Sequence, residues 1–259
     1  MLLTMQQSSH WYTQNGEPAY DADLRRARKE NLLPSVSTIT HLMQNEALIN
    51  WRIEQAIMSA LTLPKLEGET PDQFARRVVE DMDAQSRVAR ERGEKVHLYA
   101  QLYIENAPQE ELPVIDDELR PVLSQLLDWI DFTLAPGGTC EKTFAELEYG
   151  YGGRIDYVGA TRDGQPIILD FKTQNVKAGK SKPRINFYDE WAYQLAAYAY
   201  AEKVPFDKCY SVVISTNPDV PIVEVYNWDK SEIEIAFDTF LALANTFRKI
   251  KKFEYVRVS

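Results

Sequence analysis

Two aspartates and a lysine stand in a spacing that suits phosphate-ester chemistry. The chain reads Gly153-Arg154-Ile155-Asp156 and then, after thirteen intervening residues, Asp170-Phe171-Lys172-Thr173. Asp170 and Lys172 are two apart in a run that reads as a strand, so both project from one face. Between the two aspartates lies Asp163-Gly164, the strongest hairpin signal in the chain, which would bring them near one end of adjacent strands. Paired carboxylates offer hard oxygen ligands for Mg²⁺ or Mn²⁺. A metal held there activates water and stabilises charge building on a phosphate. A lysine beside it can orient or help deprotonate that water, or pair with the phosphate. Asp-x-Lys alone is a weak signal, and the competing reading is a surface salt bridge on a hairpin. Placement after an Ile167-Ile168-Leu169 core strand, with a hairpin and a Gly-x-x-Asp before it, makes the catalytic reading the stronger one.

The elements that must position these residues follow from periodicity and punctuation. Residues 1–34 read as irregular, with short extended pieces around Trp11–Tyr12. Ser35 or Ser37 can cap a helix from about Thr38 through the forties. A second helix covers Ala47 to Leu61, ended by Leu63-Pro64. Thr70-Pro71-Asp72 opens a third that runs to about Glu105, broken only by Gly93. Pro121 opens a fourth through Leu134, and Pro136-Gly137-Gly138 makes a turn. From Thr143 the period shortens to two, with Phe144, Glu146 and Glu148 alternating against Ala145, Leu147 and Tyr149. Gly150, Gly152 and Gly153 permit a bend before a strand from Arg154 to Ala160. Pro166 to Thr173 is the returning central strand, Tyr188 to Lys203 a helix, Cys209 to Ser215 and Ile222 to Tyr226 strands, and Lys230 to Lys251 a last helix. The predicted class is α/β, a mixed (α+β) sheet flanked by helices. Residues 1–140 form a helical N-terminal region and 141–259 the core, together one compact unit.

Bulk properties narrow the possibilities. The 259 residues are 44% hydrophobic and 26% charged, enough for a sizeable core. No apolar run is long enough to cross a membrane, and the first ten residues lack a signal-peptide pattern, which leads us to expect a cytoplasmic protein. Cys140 and Cys209 have no CxxC spacing and cannot make a four-cysteine metal or iron–sulfur site. No Walker-type phosphate loop is present, so no nucleotide cofactor is expected, and there is no Gly-x-Ser-x-Gly elbow. The net charge of −10 argues against a broadly basic nucleic-acid surface. Locally, however, Lys172 to Arg184 holds five basic residues and no acidic one: Lys172, Lys177, Lys180, Lys182 and Arg184. Arg248, Lys249, Lys251 and Lys252 make a second basic cluster, readable either as solvated charge or as nucleic-acid contact.

The Gly153-x-x-Asp156 and Asp170-x-Lys172 pair resembles the PD-(D/E)XK nuclease superfamily. Two further segments resemble its RecB-type branch. Gln194-Leu195-Ala196-Ala197-Tyr198 is similar to the Gln-x-x-x-Tyr motif, with Gln194 and Tyr198 on one helical face. Gly93-Glu94-Lys95-Val96-His97 is similar to the upstream segment whose histidine ligates metal. Pro34-Ser35-Val36-Ser37-Thr38 resembles a stretch near the start of phage-type and mitochondrial genome-maintenance exonucleases. The absent cysteines point to relatives without an iron–sulfur cluster. The resemblance implies a restriction-endonuclease-like core and a metal-dependent DNA exonuclease of recombination, repair or replication, with a phage origin conceivable. Asp156, Asp170, His97 and the backbone carbonyl of Phe171 would hold Mg²⁺ or Mn²⁺, and Lys172, Gln194 and Tyr198 would complete the catalytic set. Glu146 or Glu148 could assist the metal. Ser35, Lys177, Lys180, Lys182 and Arg184 would touch DNA, and the helical half would wall the entrance for a single-stranded end. Protein partners would be recombination or replication factors, with no membrane. An endonuclease on the same core, or a silent DNA-binding or assembly module, is the alternative.

Overall fold

The computed structural model describes residues 10–43 and 46–256. Gln44 and Asn45, onto which the expected helix from Thr38 would extend, lie outside the described residues, as does the N-terminal stretch to Ser9. The chain divides into two compact units, one formed by 1–42 with 95–259 and the other by 43–94.

The larger unit is built on five strands in the order β3-β4-β5-β6-β7. These are β3 (Thr139–Glu146), β4 (Tyr151–Ala160), β5 (Pro166–Gln174), β6 (Cys209–Ser215) and β7 (Val223–Asn227). All neighbours are antiparallel except β5 and β6, which are parallel. A parallel pair needs a long crossover, and helix α6 (Asp189–Glu202) supplies it. Each sheet face carries an apolar core. On one face Ile155, Ile168 and Val213 meet Leu195 and Ala196 of α6 and Phe240 of α7 (Lys230–Lys251). On the other, Tyr157, Leu169 and Val212 meet Leu123 and Leu126 of α5 (Arg120–Thr133), and Val96 and Ala100. Both cores draw on both halves of the sequence, because Trp11, Val36 and Ile39 pack into the first. The expected mixed sheet flanked by helices is the observed one.

The N-terminal segment adds a two-stranded pair, β1 (Trp11–Tyr12) with β2 (Leu33–Pro34). Between them lies α1 (Leu24–Glu30), where the sequence suggests irregular chain. Asp23 caps it by accepting from the Arg26 amide at 2.7 Å, and Asn31 ends it in the left-handed conformation. Helix α2 is a short turn, Val36–Thr40.

In the smaller unit, α3 spans Glu46–Thr62 and α4 starts at Pro71. Thr70 and Gln73 form a reciprocal cap, Thr70 N to Gln73 Oε1 at 2.8 Å and Gln73 N to Thr70 Oγ1 at 3.3 Å. Arg77 donates to Glu69 at 3.0 Å and closes the connecting loop. Helix α4 runs without interruption to Ile104, straight through Gly93. Its strong helix formers on both sides outweigh the roughly 1 kcal/mol that one glycine costs.

Candidate active site

Strand register sets the centre. Tyr157 pairs with Leu169 at the end of the β4–β5 ladder, and Asp156 and Asp170 are the next residues beyond that pair. The hairpin between them turns at Gly164, φ 81°. Asp156 Oδ2 accepts a hydrogen bond from the Phe171 amide at 2.8 Å, which ties one strand's carboxylate to the other's backbone. Lys172 Nζ lies 2.6 Å from Asp170 Oδ2 and donates to Gln194 Oε1 at 3.1 Å. Gln194 Nε2 donates in turn to the Tyr198 hydroxyl at 2.8 Å. One polar chain thus runs from the sheet into α6. The Trp191 ring, buried, sits with its centroid 5.8 Å from Lys172 Nζ, a cation–π contact that fixes the ammonium from a further side.

His97, on α4, brings Nδ1 to 3.9 Å from Asp156 Oδ2 and meets the Phe171 ring edge-on at 6.1 Å. The structure thus places His97 beside the Asp156 carboxylate. Among the described residues, no three His, Cys, Asp or Glu side chains cluster closely enough to hold a metal ion by themselves.

Burial dominates the electrostatics. It lifts the Asp170 carboxyl to about 6, with Asp156 adding to the rise and Lys172 opposing it. Burial also raises Asp156, against the pull of Lys172, the Phe171 amide and Arg154. Tyr198 is raised by burial and by both aspartates, so it remains a neutral hydroxyl. Asp170 Oδ2 is buried, with the Lys172 ammonium 2.6 Å from it. Two neighbouring buried carboxylates, both disfavoured as anions, are a donor set that a hard divalent cation fits.

Glu141 and Arg154 belong to this site although the sequence does not single them out. Glu141 lies opposite Asp156 on β3 and has φ 49°. Its Oε2 is 2.6 Å from Arg154 Nε, a half-buried ion pair two residues from Asp156. Burial and Asp156 push Glu141 up to about 7, with Arg154 opposing. Cys140 and Tyr157 pack in the core under α5, whereas Phe144, Tyr151 and Ile155 pack under α6 and α7. Even spacing along a regular strand keeps one face. Both strands therefore switch faces at Glu141 and Asp156, and Asp156 sits at the irregularity, as reactive groups on sheets often do. Arg154 fills a variable position of the Gly-x-x-Asp run, and Glu141 precedes the strand expected from Thr143.

Other expected site residues lie elsewhere. Glu146 and Glu148 are at the β3–β4 turn, where Glu146 accepts from the amides of Glu148 (2.8 Å) and Tyr149 (2.7 Å), and Glu148 from the Tyr200 hydroxyl (2.7 Å). Glu146 pairs with Tyr151, five residues from Asp156, so a metal-assisting role for either glutamate is not what the structure places there. Ser35 is 2% exposed, and its hydroxyl caps α2 through the Thr38 amide at 3.0 Å. It is a cap and not an open DNA contact. Lys177, Lys180, Lys182 and Arg184 are all exposed on the loop that follows β5.

Residues 59–208, more than half of the chain, match the family described as the PD-(D/E)XK nuclease superfamily. No curated protein matches the chain. Among solved structures, one named "Putative exonuclease", from Eubacterium rectale, is 11% identical, with 81% of this chain and 87% of that one covered and a TM-score of 0.42. The crystal structure of SSO0001 is 16% identical, with 76% and 86% covered and a TM-score of 0.27.

Proposed function

The chain belongs to the PD-(D/E)XK nuclease superfamily, and from that premise we propose that it is a metal-dependent DNA exonuclease of the RecB-type branch, without an iron–sulfur cluster, acting on free single-stranded ends. The observation that carries this reading is the continuous contact from Asp170 through Lys172 and Gln194 to Tyr198, beside Asp156. Asp156, Asp170, the Phe171 carbonyl and His97 would hold Mg²⁺ or Mn²⁺. Bound there, the ion would supply activation of a water and offset negative charge on the phosphate. Lys172, steered by Gln194 and Trp191, holds the water in line with phosphorus. Water adds hydroxide to phosphorus as the P–O3′ bond breaks, and the water's remaining proton passes to the departing O3′. The products are a 3′-hydroxyl and a 5′-phosphate. Tyr198, neutral and buried, keeps Gln194 turned toward Lys172. The exposed cations Lys177, Lys180, Lys182 and Arg184 contact the DNA backbone. A place in recombination, repair or replication follows from this activity.

The test uses linear DNA labelled at either end, closed circles, and Mn²⁺ or Mg²⁺. We expect linear single strands to be degraded and circles spared. Asp170→Ala and Lys172→Ala should each lower the rate by at least about 10³-fold while circular dichroism stays native. Unchanged cleavage by either variant would sink the site assignment. Cleavage of circles would make the enzyme an endonuclease, and metal-independent binding without turnover would make it a silent module.

A further inference from the structure

Gln174, the last residue of β5, has a role that neither the motif spacing nor the catalytic chain above gives it. Asp170, Lys172 and Gln174 are spaced by two along one strand, so their side chains share a face. The Gln174 amide is used at both ends: Nε2 donates to the Asn186 carbonyl at 2.5 Å, and Oε1 accepts from the Asn186 amide at 3.2 Å. A side chain here pairs with backbone as a neighbouring strand would, and it closes the loop of residues 175–186. Within the loop, Lys177 and Arg184 pair as an antiparallel bridge, with Arg184 N to Lys177 O at 2.9 Å. Val176 is fully buried, and its carbonyl accepts from Asn217 Nδ2 at 2.8 Å. A long insertion left to itself would be a floppy solvated charge run. This one is tied at its base, at its first turn and across its width.

The tied loop presents Lys177, Lys180, Lys182 and Arg184 to solvent, with no acidic residue among them. Among the described residues none of the four is in an ion pair. On a chain of net charge −10, that local concentration of unneutralised cations is the exception, and it leaves the strand two residues beyond Lys172. Polyphosphate backbones are the ligand such a surface fits, because each neutralised phosphate releases counterions. Ordering the cations beforehand removes part of the entropy cost of binding. Resting on the nuclease reading, we infer that Gln174 is a positioning residue that latches the 175–186 loop to the catalytic strand, and that the loop grips the phosphodiester backbone of the strand being cut. Gln174 touches no reacting atom. It acts on binding through the lysines.

A double-mutant cycle tests this. Affinity for a fluorescent single-stranded oligonucleotide is measured by anisotropy in EDTA for the wild type, Gln174→Ala, the triple Lys177→Ala/Lys180→Ala/Lys182→Ala, and all four changes together. Gln174→Ala should weaken binding about tenfold, and add less than about twofold on the triple background, since of the four cations only Arg184 is left there for a latch to position. In Mn²⁺, Gln174→Ala should raise KM with kcat within about twofold, the mark of a group that contributes equally to ground and transition states. Gln174→Glu, which loses the donor to Asn186 and adds negative charge beside the cations, should bind more weakly than Gln174→Ala. Unchanged affinity of Gln174→Ala, equal losses on both backgrounds, or a fall in kcat at constant KM would overturn the latch. If Gln174→Ala fails to fold, the triple variant, confined to exposed side chains, still decides whether the loop binds DNA. Its full retention of affinity would overturn the proposal. Wild-type protein that binds but never cuts would defeat the nuclease reading alone. Wild-type protein that binds and cuts, with variants unchanged, would defeat this inference alone.

Discussion

The Asp170 carboxylate is 1% exposed and lies beside Asp156, and these two facts lift its pKa from 3.8 to about 6. A raised acid pKa means that the folded chain holds the proton more tightly than the unfolded chain does. The contribution of Asp170 to stability is therefore present below about pH 4 and lost as pH rises through 6. At pH 8 and without metal, the ionised group works against folding, tempered by Lys172. Asp170→Asn should then raise stability at pH 8 in EDTA, by on the order of 1 kcal/mol or about 2–4 °C in Tm, and give no gain at pH 4. Millimolar Mn²⁺ should raise the Tm of the wild type and leave that of the variant in place, because only the former has the ligand. Differential scanning calorimetry with and without Mn²⁺ checks both statements. A variant less stable than the wild type at pH 8 would mean that the Lys172 ion pair outweighs burial and repulsion together. The types of these residues were legible because metal-assisted phosphate chemistry needs carboxylates and a cation at strand spacing. Glu141 was not legible. What makes it part of the site is a left-handed backbone conformation, about 1 kcal/mol or more of strain, that arises only when β3 pairs with β4 and both change face.

At the scale of elements, β4 owes its fit to a glycine that the sequence suggests is a bend residue. Gly153 lies inside the strand, paired with Phe144, and only Gly150 takes the turn conformation, φ 69°. A Cβ at Gly153 would come within 2.8 Å of Phe144 Cε1 and 3.1 Å of Tyr198 Cε1. The Phe144 and Tyr198 rings meet edge to face at 5.7 Å, so neither can yield without disturbing the other. Gly153→Ala should cost about 1–3 kcal/mol by overpacking, and it should lower kcat as well, because Tyr198 is pushed from its bond to Gln194. Thermal unfolding and single-turnover cleavage measure the two effects, and wild-type values of both would show that the rings adapt freely. The same physics explains which elements could be read ahead. Helix α7 and strand β6 have clean periodicity with strong ends, and their observed limits coincide with the expected ones. Strand β3 begins at Thr139, four residues early, because Glu141 breaks the alternation that marks a strand. Helix α1 is seven residues with one buried side chain, Ala27, so it has almost no apolar stripe to detect.

On the whole molecule, a net charge of −10 confines any nucleic-acid contact to places where cations are concentrated and unneutralised. Two clusters meet the first condition, and they differ in what the fold does with them. In the C-terminal cluster Arg248 is spent on structure: its guanidinium donates to the carbonyls of Tyr149 and Gly150, and burial lowers its pKa. Those carbonyls are at the β3–β4 turn, roughly 20 Å of strand from Asp156 at about 3.3 Å per residue. Lys249, Lys251 and Lys252 follow at the exposed end of α7. The loop after β5 begins three residues from Lys172 instead. If only its four cations meet phosphates, the slope of log affinity against log salt for single-stranded DNA should be about −3, at roughly 0.7 per neutralised phosphate. Neutralising Lys249, Lys251 and Lys252 to Gln should leave that slope where it is and change Tm little, since all three are exposed. A slope nearer −5 that relaxes in the tail variant would instead spread the DNA path from the carboxylates to the far turn of the sheet. A protein of this acidity would then have to hold the intervening backbone past the β3–β4 turn, where the carboxylates of Glu146 and Glu148 repel it.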